Sequence, residues 1–568
     1  MNLFDKAKIL VHIARWRATW SRRDLNYVPK KLKQQNPKFV NAWEAVKMIP
    51  DDACCFSSGM AGNTRCSVFF YGIRELNELT GHPRNLTWIT VGAQGSRGRV
   101  PGTLEELDKP GLVTQFIGGH VETVKTLLRL ADKGQIEIHT MPQGVQSYLV
   151  ENQGKGVYHV DSDTGVGTFI DPRVGTGTAI LPGTTDRCYV EPHGDKLRYT
   201  MPKIDVAMFT ATYADSEGNL YNKYAPMVTE SYDSALAARR NGGLVLAAVS
   251  DIIEKDEQNI FLRADQVDAI IVNPYNEQTG SVPQRRYWPM FTVEHKVDFQ
   301  EAVETLKFAN GVLKITPVRN DVDNALARVG ATMFTGLTKP GEYVNLGVGL
   351  PEEVCRYVYE GGLVQQIHLI VETGVVGGLS APGIFFGAAI NPEQIMNSSK
   401  VFHLCDDKLD LTILGLLEAD SDGNVNVSRR GEGAINYVGP GGFPDLTRAA
   451  NKVLFVGTWM AHAQMEISEG KLKIVKPGEH KFKQHVSEVT FNGKQMLAKG
   501  KQIFYVTNVG VFQLTQQGMT LIQLMPGVDV QRDILDSCTM KVIIPPGEIP
   551  LISNEIVTGQ GFKLAWQD

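Results

Sequence analysis

Two related, open α/β domains with mainly parallel sheets are the fold this sequence predicts, and three observations point there. Apolar runs such as Leu244–Val249 and Ala269–Val272 are continuous rather than alternating. Such runs mark strands buried on both faces, and they alternate here with helical stretches, the order expected of a parallel sheet covered by helices. The chain's 568 residues exceed what one core usually holds. Finally, the sequence repeats itself faintly. Ile49-Pro50-Asp51-Asp52-Ala53-Cys54-Cys55-Phe56-Ser57-Ser58-Gly59 parallels Lys339-Pro340-Gly341-Glu342-Tyr343-Val344-Asn345-Leu346-Gly347, and Ala214-Asp215-Ser216-Glu217-Gly218-Asn219 parallels Ala419-Asp420-Ser421-Asp422-Gly423-Asn424. The offsets are about 290 and 205 positions, too long for a solenoid period. Their inequality requires an insertion in the first copy.

The elements follow in order. Residues 1–42 form a basic extension. Ten Lys and Arg up to Lys38 face only Asp5 and Asp24, and Ile9, Ile13, Trp16 and Trp20 share one stripe at helical spacing. A helix that docks on the protein body or on a second subunit is expected. A membrane-surface helix and a mitochondrial transit peptide are the alternatives. With Met1 at its start, the segment is expected to stay on the chain. The first domain is read over 43–300. A linker helix over 301–320 comes from the pattern at 299–311, which should end at Gly311. The second domain is read over 321–568.

Composition narrows the function. Hydrophobic residues make up 43% and charged residues 21%, enough for large cores and a solvated surface. A formal net charge of -5 gives no sign of nucleic-acid binding. No run of about eighteen apolar residues suggests a membrane span. Seven cysteines without Cys-x-x-Cys spacing read as free thiols in a reducing compartment. The expected location is cytoplasmic, with mitochondrial as the second reading. Twelve histidines show no ligand-like spacing, so no metal site is expected. Gly347-Val348-Gly349 lacks both the third glycine of a dinucleotide fingerprint and a P-loop ending.

The candidate site centres on Glu372. His368-Leu369-Ile370-Val371-Glu372-Thr373-Gly374 reads as a short buried strand, a carboxylate and a glycine. Ligands of open α/β sheets gather at the carboxyl ends of such strands, and a carboxylate there is a candidate nucleophile. A helix-start or loop glutamate is the plain alternative. Upstream, Tyr343-Val344-Asn345-Leu346-Gly347-Val348-Gly349-Leu350-Pro351 reads as strand, glycine turn and helix start. Downstream come Asp420-Ser421-Asp422-Gly423-Asn424 and Gly439-Pro440-Gly441-Gly442-Phe443-Pro444-Asp445.

These stretches, in this order, resemble the C-terminal half of the family I coenzyme A transferases, with the single-chain acetate, propionate and 3-oxoacid types nearest. Met141-Pro142-Gln143-Gly144-Val145 and Gly165-Val166-Gly167-Thr168-Phe169-Ile170-Asp171-Pro172-Arg173 extend the resemblance to the first half, covering roughly 45–568. Two departures stand out: Ser58-Gly59-Met60-Ala61-Gly62-Asn63-Thr64 replaces the family's glycine-rich turn, and the basic extension lies outside the pattern. The resemblance implies that Glu372 is the nucleophile of a ping-pong exchange. CoA would move from a short-chain acyl-CoA to a free carboxylic acid through a glutamyl-CoA thioester. It implies that Gly441 and Gly442 line the glutamate's side and that Gly347, Val348, Gly349 and Leu350 embrace the pantetheine arm. Gln143 would hold the acid from the first domain, or else bond its own turn. Asn345 would orient Glu372, or else satisfy buried backbone. Arg173 pairs with a CoA phosphate or with a nearby carboxylate; Asn424 and Asn426 are read as hairpin residues. Coenzyme A is then a substrate, no cofactor is tightly bound, and the assembly is a homo-oligomer, dimer or tetramer. An acyl-CoA hydrolase on the same scaffold and a silent acyl-CoA-binding protein are the rival readings.

Overall fold

The computed structural model describes residues 1–60, 63–92, 94–95 and 100–567. Helix α1 (Leu3–Thr19) opens the chain, with the Asn2 side chain accepting from the Asp5 N–H at 2.9 Å, a standard N-cap. Ile9 and Ile13 are buried in the hydrophobic cluster of the second domain. The Met1 ammonium pairs with Glu304, and Trp16 Nε1 donates to Glu277 at 2.8 Å. The extension therefore lies on the protein body.

The first sheet has eight strands: β1 (Phe39–Val40), β2 (Cys54–Ser57), β3 (Leu86–Thr90), β4 (Val113–Gly118), β5 (Glu137–His139), β6 (Val206–Thr210), β7 (Leu244–Val249) and β8 (Ala269–Val272). Their order is β1-β8-β7-β6-β2-β3-β4-β5 and every pairing is parallel. Between β5 and β6 come helix α2 (Gln143–Gly154) and a small sheet of Val160–Ser162, Val190–His193 and Lys196–Tyr199.

Helix α3 (Phe299–Leu313) leads to the second domain, capped by the Asp298 side chain, which accepts from the Glu301 N–H at 2.8 Å. It does not stop at Gly311. The glycine stays helical, at a cost of about 1 kcal/mol relative to Ala, and the left-handed Lys314 (φ 54°) ends the helix instead. Ala302, Leu306 and Ala309 join the second domain's core. Next come α4 (Asp321–Leu337) and α5 (Leu350–Glu360), which pack on each other and on the second sheet.

That sheet has ten strands: β9 (Tyr343–Leu346), β10 (His368–Val371), β11 (Val375–Val376), β12 (Gln394–Ile395), β13 (Leu409–Leu414), β14 (Lys452–Val456), β15 (Gln502–Val506), β16 (Gly510–Thr515), β17 (Gly518–Leu524) and β18 (Val542–Ile543). They run β12-β11-β10-β9-β13-β14-β15-β16-β17-β18. The run from β10 to β15 is parallel, while β11, β12, β16 and β17 add antiparallel flanks.

The duplication is physical. β8-β7-β6-β2-β3 and β15-β14-β13-β9-β10 share chain order and direction. Asp215 and Asp420 build the same hairpin turn: each carboxylate accepts from the backbone N–H and the side-chain amide of the Asn four residues on. Asn426 likewise bonds within its own hairpin, to the Arg429 carbonyl at 2.8 Å. From Leu86 to Val206 the first copy runs 120 positions, whereas from His368 to Leu409 the second runs 41. The excess holds β4, β5, α2 and the small sheet, and it reaches across to the other domain. There α2 meets α6 (Ser398–Lys408) and α7 (Phe443–Ala449), which rest on β13. Phe169 N–H donates to the Val489 carbonyl at 2.8 Å, and Asn492 Nδ2 to the Gly167 carbonyl at 3.0 Å.

Candidate active site

Glu372 begins the tight loop that turns β10 into β11, at the carboxyl end of the parallel run. The loop is gripped from three sides. Gly374 has φ 99°, and a Cβ there would lie 1.8 Å from the Met396 carbonyl oxygen, so only glycine fits. Thr373 Oγ1 donates to the Gly387 carbonyl at 2.6 Å, and the Thr373 carbonyl accepts from Thr229 N–H of the first domain at 3.3 Å. Burial raises the Glu372 carboxyl to about 7, opposed among the described residues by its own backbone N–H. Among the described residues no cation pairs with it.

Gly442 faces this carboxylate: a Cβ on Gly442 would stand 2.6 Å from Glu372 Oε1. Gly441 differs. Space around its Cα is open, but its φ is 57°. Its backbone ties the loop to the first domain, donating to the Gly119 carbonyl at 2.8 Å and accepting from Gln143 N–H at 3.0 Å. Gly439 is pressed to the same place, since a Cβ there would lie 2.6 Å from the Gly119 carbonyl oxygen.

Gln143 is the first residue of α2 and is buried. Its Nε2 donates to the Val91 carbonyl at 3.2 Å. Asn345 is held within the sheet, with Nδ2 donating to the Ile370 carbonyl at 3.0 Å and Oδ1 accepting from Thr412 Oγ1 at 3.1 Å. It reaches Glu372 only through the strand that ends there. Gly347, Val348, Gly349 and Leu350 form the turn from β9 into α5. Gly347 packs on Ile413 and Leu414, Val348 is exposed, and Gly349 (φ 94°) has open space at its Cα. Arg173 pairs with Asp171, with Nε donating at 2.8 Å to Oδ1 and Nη2 at 2.8 Å to Oδ2. In the early turn, Ala61 and Gly62 lie outside the described residues.

Three ionisable groups escaped the sequence reading. Asp445, in the first turn of α7, accepts from the Gly144 N–H of α2 at 2.8 Å, and burial lifts its carboxyl to about 7. Its proximity to the glycine loop was the available signal. Glu230 is buried beside Ser58 and Ser398. Burial raises it to about 7, and its Oε2 has no hydrogen-bond partner among the described residues. Nothing local in Met227-Val228-Thr229-Glu230-Ser231 announces it. Lys481 lies beside Gly457, just past the carboxyl end of β14, and burial lowers its ammonium to about 8. No helix is long and apolar enough to cross a membrane, and no group of three or more ligating side chains is placed to hold a metal, both among the described residues.

No family model matches the chain. It is 32% identical over 508 residues to the caffeate CoA-transferase of Acetobacterium woodii, spanning 88% of this chain and 93% of that one. It is 30% identical over 542 residues to the acetate CoA-transferase YdiF of Escherichia coli (strain K12), spanning 92% and 96%. The crystal structure of the acyl-CoA transferase YdiF apoenzyme from Escherichia coli O157:H7 superposes with a TM-score of 0.80 at 27% identity, over 94% of this chain and 97% of that one. Its thioester complex with CoA gives 0.79 over 93% and 97%. With this fold and these relatives, the chain belongs to the family I coenzyme A transferases and is an enzyme that transfers CoA.

Proposed function

We propose that the enzyme moves CoA from a short-chain acyl-CoA to a free carboxylic acid in two half-reactions, through a glutamyl-CoA thioester on Glu372. The observation that carries this is the Glu372 carboxylate standing against the bare Cα of Gly442 with no cation among the described residues to neutralise it. Keeping a buried carboxylate ionised without a partner is costly, and its place against Gly442 at a strand end supports a chemical role.

In the first half-reaction a Glu372 oxygen attacks the thioester carbonyl, the carbon–sulfur bond breaks, and CoA leaves as thiolate. The product is an anhydride of the acyl group and Glu372. The thiolate then attacks the glutamyl carbonyl and expels the first acid as carboxylate, leaving CoA on the enzyme. The second acid reverses both steps and restores Glu372. Each attack forms a tetrahedral oxyanion. Glycine loops bring bare N–H donors near it, and one such donor typically lowers the barrier by about 2.7–4 kcal/mol. The turn at Gly347 to Leu350, exposed at Val348, offers the pantetheine arm a path along the carboxyl ends of β9 and β13, and Lys481 offers a cation for a CoA phosphate. The acid lies towards the first domain, near Ser58 and Gln143. The relatives named for caffeate and acetate support a carboxylic acid acceptor.

One experiment tests this directly. Incubation with acetyl-CoA alone should leave CoA joined to the protein; borohydride should reduce that thioester, and peptide mass mapping should put the change on Glu372. An adduct on another carboxylate, or none, removes the proposal. A panel of acids, read by mass of the new thioesters, then identifies the acceptor, and product formed without acceptor acid would instead reveal a hydrolase.

A further inference from the structure

The chemistry at Glu372 leaves one cavity unexplained. Between α1 and loops of the first domain lies a cavity of about 660 Å³. None of its lining belongs to the Glu372 loop, the Gly439 to Gly442 loop, Gln143 or the Gly347 to Leu350 turn. Its size is that of a small-molecule site.

The charge in its wall is one-sided. Glu277 is the only carboxylate among the described lining residues, and it is already engaged by Arg65 and by Trp16 Nε1. Arg15, Arg22 and Arg286 also line the cavity, and among the described residues none of their guanidinium groups has a carboxylate or carbonyl partner. Arg15 and Arg286 both lie near enough to the His12 ring for their charges to disfavour its protonation, which burial already opposes. Uncompensated cations around a concave, low-dielectric wall focus positive potential into the space between them. Guanidinium forks match phosphate oxygens two at a time.

The wall also presents aromatic faces among its polar residues. Trp16 and Trp20 meet edge to face with ring centroids 5.7 Å apart, and both line the cavity with Tyr71. Such rings accept a planar heterocycle by stacking. We infer that this cavity is a second ligand site that takes a nucleoside diphosphate or triphosphate. Its phosphates would meet Arg15, Arg22 and Arg286, and its base would meet the indoles of α1. Because α1 forms one wall and also buries Ile9 and Ile13 in the second domain's core, an occupant would pin the extension to both domains.

The test uses the full chain with ADP and, separately, inorganic pyrophosphate, followed by calorimetry and by tryptophan fluorescence. ADP should bind once per chain and quench the indoles, with acyl-CoA at saturation leaving it bound. The Arg15→Glu, Arg286→Glu double variant should bind ADP about a hundredfold more weakly, from the loss of two charge-assisted contacts, with KM for acyl-CoA unchanged. Trp20→Leu, a milder change, should weaken ADP and leave pyrophosphate binding intact. Failure of folded wild type to bind ADP would overturn the inference. So would ADP bound equally well by the double variant and displaced by acyl-CoA, which would place it in the acyl-CoA channel. Pyrophosphate bound as tightly as ADP would remove the base from the assignment.

Discussion

At Glu372 a carboxylate oxygen stands 2.6 Å from where a Cβ on Gly442 would be, so the two positions constrain each other. Gly442→Ala should push the nucleophile aside by about 1 Å and lower kcat about a hundredfold, with little change in melting temperature. Gly441→Ala should behave differently: nothing blocks its Cβ, but φ 57° strains an L-residue by about 1–2 kcal/mol, so the loss should appear in the melting curve before it appears in turnover. Glu372→Gln should abolish transfer by several orders of magnitude in a folded protein, and near-normal rates would sink the assignment. In the proposed reaction only the carboxylate attacks, and burial raises the Glu372 carboxyl to about 7. kcat/KM should therefore fall as pH drops below about 7, and a flat profile between pH 5 and 8 would contradict it. The strand, the carboxylate and the glycines of this candidate site were legible in the sequence, because they are local signals. What separates Gly441 from Gly442 was not, since which Cα faces the carboxylate depends on a contact between segments 70 positions apart.

Helix α2 carries the first domain's reach across the interface, and Asp445 caps it from the other side. Removing that acceptor in Asp445→Ala leaves a buried N–H unsatisfied, which costs about 1–3 kcal/mol. The variant should melt earlier and loosen the Gly441–Gln143 contact, raising KM for the acid more than KM for acyl-CoA. Asp445→Asn keeps an acceptor oxygen and should recover most of the stability. At this scale the parallel strands were readable as unbroken apolar runs. Strands β11, β12, β16 and β17 were not foreseen, because their antiparallel pairing is decided by where tight loops return the chain. The end of α3 was misjudged for a related reason: Gly311 is permissive, and packing of Leu313 on the second domain outweighs its weak helix preference.

Across the whole molecule three buried carboxyls, Glu230, Glu372 and Asp445, are raised to about 7 from ordinary values of 4.5, 4.5 and 3.8. The folded state holds these protons more tightly than the unfolded chain. Their contribution to stability is full below about pH 4 and is lost as pH rises through about 7. Denaturant titrations should show this component declining from pH 4.5 to 7, and Glu230→Gln should flatten the decline without removing the nucleophile. A slope that steepens in the variant would contradict the reading. The duplicated plan also says how the halves came to differ. Carrying the 290-position offset through the strand pairings matches Cys54 with Val344, their partners Thr87 with Leu369, and so Thr90 with Glu372. Thr90 is buried, its hydroxyl donating to the Gly92 carbonyl at 2.9 Å. The second half thus carries the carboxylate proposed to attack, while the first half holds a buried threonine at the matching position and has the longer connection. With the proposed nucleophile on one half and Gln143 on the other, substitutions in the longer connection can reshape the acid side of the site while the carboxylate stays in place.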